Sequence, residues 1–503
     1  MPDLGRLAGS VLCVGLAGPG VDAEERTELR ALGPGAVVLF ARNVTTLDAT
    51  RRLLADARDV IGGEAPALGC VDQEGGRVVR LRFSAEAIPP MLALGATGDA
   101  ALAERVGERL GDELRAVGAN VDFAPVLDLA LEPENTAIGS RSLGDDPARV
   151  ALLGAAIIRG LQRRGVAATA KHFPGHGATA LDSHLTLPVV AADAATLRAR
   201  DLVPFAAAIA EGVRAVMTAH IVVHAFDAER PATLSPRILG TLLRSELGFD
   251  GVCFTDCLEM AAIVGESGTA RAAALAVAAG ADAVLVSHER SLARAARDEI
   301  VAAARAGTLP IERLEEAAGR MRRLRAWAAP AALSAPWEAD ASIARDVARA
   351  ALRVVRGDPV LDRDRPVTIV SFEGDTSDGI ATADGNRPSL SLALRRRRVR
   401  SELMRVALDP SDDMLETLVE IVRAQGDRQF VFIARRAHQH AAQRRALAAL
   451  LSVAPAGVAV SALEPNDLNA LEQARTVVCT FGDELANVEA LADLMTGTID
   501  GAN

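Results

Sequence analysis

Short apolar runs of strand character recur through the first two thirds of the chain, at Val11–Val14, Ala36–Phe40, Ala67–Val71, Val121–Val126, Ala167–Ala170, Ala215–Thr218, Gly251–Thr255 and Ala283–Val286. Between or after them lie stretches whose apolar residues return with helical spacing: Leu47–Val60, Ala101–Val117, Pro147–Arg164, Ala192–Ile209, Ser235–Leu247, Ala270–Ala279 and Ser291–Ala304. Eight strand–helix repeats in about 330 residues predict a TIM-like (β/α)8 barrel. A doubly wound open sheet alternates in the same way, so periodicity alone does not close the barrel. The polar residues at the strand ends favour closure: Asp72 after the third strand, Asp128 after the fourth, Lys171 and His172 after the fifth, His220 after the sixth and Asp256 after the seventh. Barrel chemistry sits at that C-terminal rim.

A further helix is predicted around Ile311–Ala328, and then the segment AAPAALSAPWEADAS reads as a linker followed by a helix over Ile343–Val355. Beyond it, Val367–Phe372, Gln429–Ala434, Gly457–Ala462 and Thr476–Thr480 have the composition of buried strands, with helices at Met414–Gln425 and Gln443–Leu451. The expected organisation is a barrel over residues 1–335, a linker and connecting helix over 336–360, and a smaller C-terminal α/β sandwich over 361–503. Residues 374–388, GDTSDGIATADGNRP, predict a long loop. The basic run Leu394–Arg400, LRRRRVR, predicts a solvated helix face or a contact between domains or subunits rather than a nucleic-acid grip.

Composition narrows the function. With 503 residues, half of them apolar, the chain can bury a large core and accommodate two or three domains. Five cysteines without a CxxC pair give neither a disulfide framework nor a structural zinc site, so a reducing compartment is expected. The N-terminal sequence has neither a basic leader nor a long apolar core, which predicts a cytoplasmic protein. No apolar stretch has the length for a membrane span, so no membrane insertion is expected. A net charge of -11 opposes a phosphate-backbone grip and argues against nucleic acid. Twelve Phe, two Trp and no Tyr leave few ring platforms, so a sugar ligand calls for a small polar pocket. The oligomeric state stays unassigned.

Six of the eight histidines fall between positions 172 and 288, the part that builds the later barrel loops. The segment KHFPGHGATALDSH, residues 171–184, combines a lysine, three histidines and an aspartate with Pro174 and two glycines, and predicts an active-site loop. His172, His176 and His184 are candidate zinc donors, but Pro174 and Gly175 disrupt the helix that would present an i,i+4 pair, and no HExxH occurs. Asp182 and His184 instead suggest a carboxylate–imidazole pair, in which the carboxylate orients the ring toward substrate. Asp256, in GVCFTDCLEM, emerges at the barrel mouth, where an ionised carboxylate can attack an electrophilic carbon or stabilise positive charge. Asp72, Glu74, Arg77 and Arg80 in VDQEGGRVVRL can clamp sugar hydroxyls. Arg141, in NTAIGSRSLGDDP, either reaches the site or forms a loop salt bridge. No GxGxxG or P-loop sequence is present.

Taken in order, DQEGGRVVRL, DFAPVLDL, IGSRSLGDDP, KHFPGHGATALDSHLTLP and FTDCLEM resemble glycoside hydrolase family 3, especially its β-N-acetylglucosaminidases of the NagZ type, which act in bacterial cell-wall recycling. The resemblance spans approximately residues 8–330. It implies a barrel, a nucleophile at Asp256 and a histidine acid/base at His184 supported by Asp182. It places N-acetylglucosamine-binding groups at Asp72, Arg80, Arg141, Lys171 and His172, with His176 supporting the loop. The implied reaction is retaining hydrolysis through a covalent glycosyl-enzyme, releasing terminal N-acetylglucosamine from muropeptide or chitooligosaccharide fragments, with no metal or organic cofactor. Two positions depart from the family pattern: Ala178 stands where Asp is frequent, and Cys257 where Asp, Ala or Gly is familiar. The C-terminal part resembles the αβα sandwich of two-domain members. The alternatives are a β-N-acetylglucosaminide phosphorylase sharing the covalent half-reaction, a β-glucosidase, and a catalytically silent sugar-binding module.

Overall fold

The eight apolar runs become parallel strands: β1 Leu12–Gly15, β2 Ala36–Leu39, β3 Leu68–Val71, β4 Val121–Asp122, β5 Ala167–Phe173, β6 Ala215–Thr218, β7 Val252–Cys257 and β8 Ala283–Val286. The computed structural model describes residues 2–63, 65–84, 86–179, 187–328, 340–374 and 388–499. Each strand pairs with the next, and Cys13 of β1 lies opposite Ala36 of β2 on one side and Leu285 of β8 on the other, which closes the barrel. Strand alternation sorts the side chains between two cores. Cys13, Val38, Cys70, Phe123, Met217, Phe254 and Leu285 fill the interior. Val14, Val37, Val71, Ala168, Val216, Cys253 and Val284 pack outward against the helices. Helix Ile311–Trp327 stoppers the end where the strands begin, with Met321 and Leu324 joining the interior cluster.

Several elements differ from expectation for identifiable reasons. Strand β5 continues through Lys171 and His172, and β7 through Asp256, because these polar residues find partners at the rim instead of turning into a loop. The predicted helix over 192–209 is two pieces, Ala194–Ala199 and Val203–Ala210, since Pro204 suits a helix start but not an interior. The segment Arg237–Glu246 forms a π-helix. A helix at Ala23–Leu32, which the spacing did not predict, begins where Asp22 accepts a hydrogen bond from the Glu25 backbone.

The connecting helix runs Ala341–Ala351 and stops short of Val355, because Leu352 turns extended and Arg353–Arg356 forms an edge strand, β9. It belongs to a six-stranded sheet with β10 Val367–Glu373, β11 Ser401–Ala407, β12 Gln429–Ala434, β13 Val458–Ser461 and β14 Thr476–Cys479. The order is β9-β14-β13-β12-β10-β11, parallel except for β9. One face packs on Leu394 and Leu491, the other on Leu418, Val422, Leu447 and Leu450. The basic run is tied down inside this unit: Arg396 pairs with Glu489, Arg397 with Glu489 and Asp493, and Arg395 donates to the Ser401 carbonyl. Most of the predicted linker segment, at 329–339, and most of the predicted loop, at 375–387, lie outside the described residues. Helix Ala341–Ala351 packs on helix Met91–Thr97 of the barrel, and one apolar cluster runs through both units. Among the described residues no helix is long and apolar enough to cross a membrane.

At the base of the barrel, fully buried Asp282 accepts from the Cys253 backbone at 3.0 Å and pairs with Arg244, Arg313 and Arg320. Removing one member of a buried ion cluster strands the others, at a cost of roughly 3–5 kcal/mol. Asp282→Ala is therefore expected to lower the urea midpoint by a corresponding amount, and an unchanged midpoint would show that the cluster does not hold β7 to β8.

Candidate active site

The rim builds its polar wall from the segments after β3 and β4 and from the end of β5. After β3, Asp72 leads into a tight hairpin, Gln73–Gly75 and Val78–Val79, turned by Gly75 and Gly76 at φ 95° and 55°, a region that favours glycine. Gln73 locks the hairpin: its side-chain oxygen accepts from the backbones of Arg80 and Leu81, and its amide donates to buried Glu113 at 2.7 Å. This fixes the backbone from which the Arg80 side chain departs.

Glu74 is the hub. Arg141 grips it with two parallel hydrogen bonds of 2.7 and 2.8 Å, and Lys171 Nζ shares the Oε1 that Arg141 Nη2 reaches, lying 2.6 Å from it and 2.8 Å from Asp72. Burial by itself would raise the Glu74 carboxyl, but the charges of Arg141 and Lys171 outweigh it and hold the group well below the usual carboxylate range. The same pairing keeps both cations charged: burial opposes it, yet Glu74 raises Arg141, and Asp72 with Glu74 raises Lys171.

A second carboxylate, Asp128, organises the histidines. Its Oδ2 sits 2.6 Å from His172 Nδ1, and its Oδ1 accepts from the His176 backbone at 2.6 Å. His172, through both its charge and its hydrogen bond, outweighs burial and depresses the Asp128 carboxyl. With His172 Nδ1 engaged by this carboxylate, Nε2 faces Arg141 Nη2 at 3.4 Å. That geometry argues against zinc at His172, since both ring nitrogens are engaged and one faces a guanidinium. Asn135 holds the His176 carbonyl at 3.0 Å, and Gly177 passes so close to the Leu129 carbonyl that a Cβ would sit 1.8 Å from it.

Asp256 lies across the cavity on β7, half-buried, its Oδ1 accepting from the Cys257 backbone at 2.7 Å. His220 steadies this turn by bridging the Thr233 hydroxyl and the Cys257 carbonyl, 2.7 and 3.0 Å away, so it acts in support rather than in the cavity. Burial pushes the Cys257 thiol up to about 12, which leaves it un-ionised at neutral pH and unsuited as a nucleophile. Cys257, Glu259 and His288 bring donor atoms together, but the Glu259 carboxylate already accepts from the backbones of Ser287, His288 and Glu289, doing the work of an ion at the start of helix Arg290–Ala306.

Between these walls is a cavity of about 350 Å³ lined by Asp72, Glu74, Arg80, Arg141, Lys171, His172 and Asp256, with Phe40, Arg42 and His288 at one side. That is the small end of the range for ligand pockets, the size of a single polar ring system. The structure thus gathers seven of the residues singled out in the sequence. His176 stands behind them through Asp128. Asp182 and His184 lie outside the described residues. Glu74, expected among the sugar-clamping groups, and Asp128, expected at the rim, prove to organise the site by holding its cations and histidines, while Arg77 of the same expected clamp donates instead to the Thr136 and Ala137 carbonyls. Arg42, Phe40 and His288 carried no motif.

The Glycosyl hydrolase family 3 N terminal domain model matches residues 11–324. A β-hexosaminidase of Stenotrophomonas maltophilia is 42% identical over 286 residues, 55% of this chain and 83% of that protein. A solved glycoside hydrolase family 3 β-N-acetylglucosaminidase from Paenibacillus sp. is 33% identical with a TM-score of 0.93, covering 100% of this chain and 98% of that one. A β-glucoside phosphorylase superposes with a TM-score of 0.81 at 20% identity, over 99% of this chain and 92% of its own, a likeness of fold alone.

The depressed carboxyls of Glu74 and Asp128 make stability depend on acid with a defined sign. Their contribution is present above the ordinary carboxylate value near pH 4 and is lost as pH falls through the lower folded values. Glu74→Gln removes one such group. It is expected to lower the melting temperature at pH 7 and to flatten the acid limb between about pH 4 and pH 2. Parallel melting curves for the two proteins across that range would contradict the assigned charge state.

Proposed function

The chain belongs to glycosyl hydrolase family 3, and from that footing we propose that it is a retaining exo-β-N-acetylglucosaminidase acting on muropeptide or chitooligosaccharide fragments. The observation that carries this reading is the placement of Asp256 across a one-sugar cavity from the Asp72, Glu74, Lys171, Arg141 and His172 wall. Asp256 attacks the anomeric carbon. His184, oriented by Asp182, protonates the departing glycosidic oxygen and in the second step draws a proton from the water that opens the glycosyl ester. Two inversions return the β configuration. An imidazole titrates near neutral pH and serves in both directions.

Asp72, Lys171, Arg141, His172 and Arg80 bind the terminal sugar, and Glu74 keeps the two cations in position. Fixed donors and acceptors suit a ring of hydroxyls and one amide, because the ordering cost is met in folding rather than on binding. His176 supports the loop. The small cavity favours release of one terminal residue. The cysteines are all unpaired and buried, which supports a reducing compartment and hence the cytoplasm.

The test is release of N-acetylglucosamine and of glucose from matched aryl β-glycosides, with and without phosphate, alongside Asp256→Ala. N-acetylglucosamine is the expected product, unchanged by phosphate, with kcat reduced at least about 10³-fold in Asp256→Ala. Dominant formation of the sugar 1-phosphate identifies a phosphorylase, preferential release of glucose a β-glucosidase, and undiminished turnover by Asp256→Ala removes that residue as nucleophile.

A further inference from the structure

The second sheet reaches into the sugar wall through one short segment of the barrel, residues 133–141. This segment carries Arg141 at one end and Asn135, which holds the His176 carbonyl, near the other. Both ends are held from the C-terminal unit. Glu464, just beyond β13 and only 5% exposed, accepts a hydrogen bond from the Ser140 backbone through Oε1 at 3.2 Å. The carboxylate approaches so closely that a Cβ on Gly139, at φ 43°, would lie 2.6 Å from the same oxygen. At the other end, His438 Nε2 and Gln439 Nε2 both face the Pro133 carbonyl, at 3.2 and 3.4 Å. His438 Nδ1 is fixed on buried Asp467 at 2.8 Å. An imidazole with acceptors at both nitrogens donates to both only as the imidazolium. Burial opposes that charge, but Asp467 and Glu464 outweigh it and raise the group above its ordinary value.

Within the barrel, the turn Gly139–Arg141 is held by Arg77 donating to the Ala137 carbonyl at 3.0 Å and by Arg141's own bond to that carbonyl at 2.7 Å. These contacts define its shape. The bonds to Glu464 and His438 set where the segment sits relative to β13 and the strand end after β12.

We propose that Glu464 and His438 are positioning residues for the sugar site: by fixing residues 133–141 from the C-terminal unit, they place Arg141 against Glu74 and His172. This rests on Arg141 as a sugar ligand. The C-terminal unit is then part of the binding apparatus without touching substrate, and its removal loosens the grip on the sugar before it affects the chemistry at Asp256.

The experiment uses the full chain with an aryl β-N-acetylglucosaminide and measures kcat, KM and melting temperature for the wild type, Glu464→Ala, Glu464→Gln, His438→Ala, Arg141→Ala and the double variant Glu464→Ala/Arg141→Ala. Loss of a hydrogen bond that orients a binding group is expected to raise KM roughly five- to twenty-fold in Glu464→Ala, with kcat changed by less than about three-fold. Glu464→Gln keeps the side-chain acceptor and is expected to stay within about two-fold of wild type. In the Arg141→Ala background, Glu464→Ala adds no further increase. His438→Ala leaves Glu464 in place and raises KM in the same sense, which keeps the test open if Glu464→Ala does not fold. An unchanged KM in both alanine variants, or an equal increase with and without Arg141, overturns the proposal. Wild-type turnover with a normal KM in the variants defeats this positioning role alone. Absence of wild-type turnover defeats the glycosidase reading and this proposal with it.

Discussion

A buried carboxylate between two cations is the constraint on which the site depends. Bringing Glu74, Lys171 and Arg141 out of water costs several kcal/mol per ion, and mutual attraction offsets this only when geometry is close to ideal. The bidentate grip of Arg141 and the short contacts of Lys171 to Glu74 and Asp72 meet that condition. The balance of two anions and two cations leaves no net charge to be screened. Lys171 and Arg141 differ in role: the guanidinium fork matches the plane of the Glu74 carboxylate, whereas the ammonium bridges two separate acids as a point charge. The wall is consequently rigid before any sugar arrives, which is the condition under which a polar pocket binds a polar ligand with selectivity.

The opposite wall is made differently. Asp256 is half-buried and held by its own neighbour's backbone, with His220 bracing that turn from behind. One side of the cavity is thus a charge network formed by the segments after β3 and β4 together with the end of β5, and the other a carboxylate near the end of β7. The barrel explains the division, since all parallel strands deliver their ends to one rim while the interior below is packed with Phe123, Phe254 and Met217.

Most of the barrel was legible because its strands are buried on both sides and read as continuous apolar runs. The elements that escaped are those whose burial is partial or borrowed. Strand β11, SELMRVA, lies at the sheet edge with exposed Glu402 and Arg405, so its pattern is too polar to read as a core strand. Strand β9 carries arginines at both ends and follows a helix from which composition does not separate it. Lys171 and His172 read as loop residues because a charged side chain at the end of a strand looks like a terminator until its partners, Glu74 and Asp128, are known. Position at the barrel mouth was legible where the signal is local, as at Asp256 at the end of an apolar run. For Glu74 and Asp128 the position at the rim was legible but the partners were not, and Glu464 carried no signal, because those partners lie 67, 44 and 324 positions away.

The proposed nucleophilic role of Asp256 requires a glycosyl ester on its side chain during turnover. The most direct measurement is mass spectrometry of the full chain after incubation with an activated fluorinated N-acetylglucosaminide, which slows release of the ester more than its formation, followed by peptide mapping. One sugar-mass adduct per chain is expected from that role, on the peptide containing Asp256 and on that side chain. An adduct on a different residue, or sustained turnover of the fluorinated substrate with no adduct on the quenched protein, would contradict it.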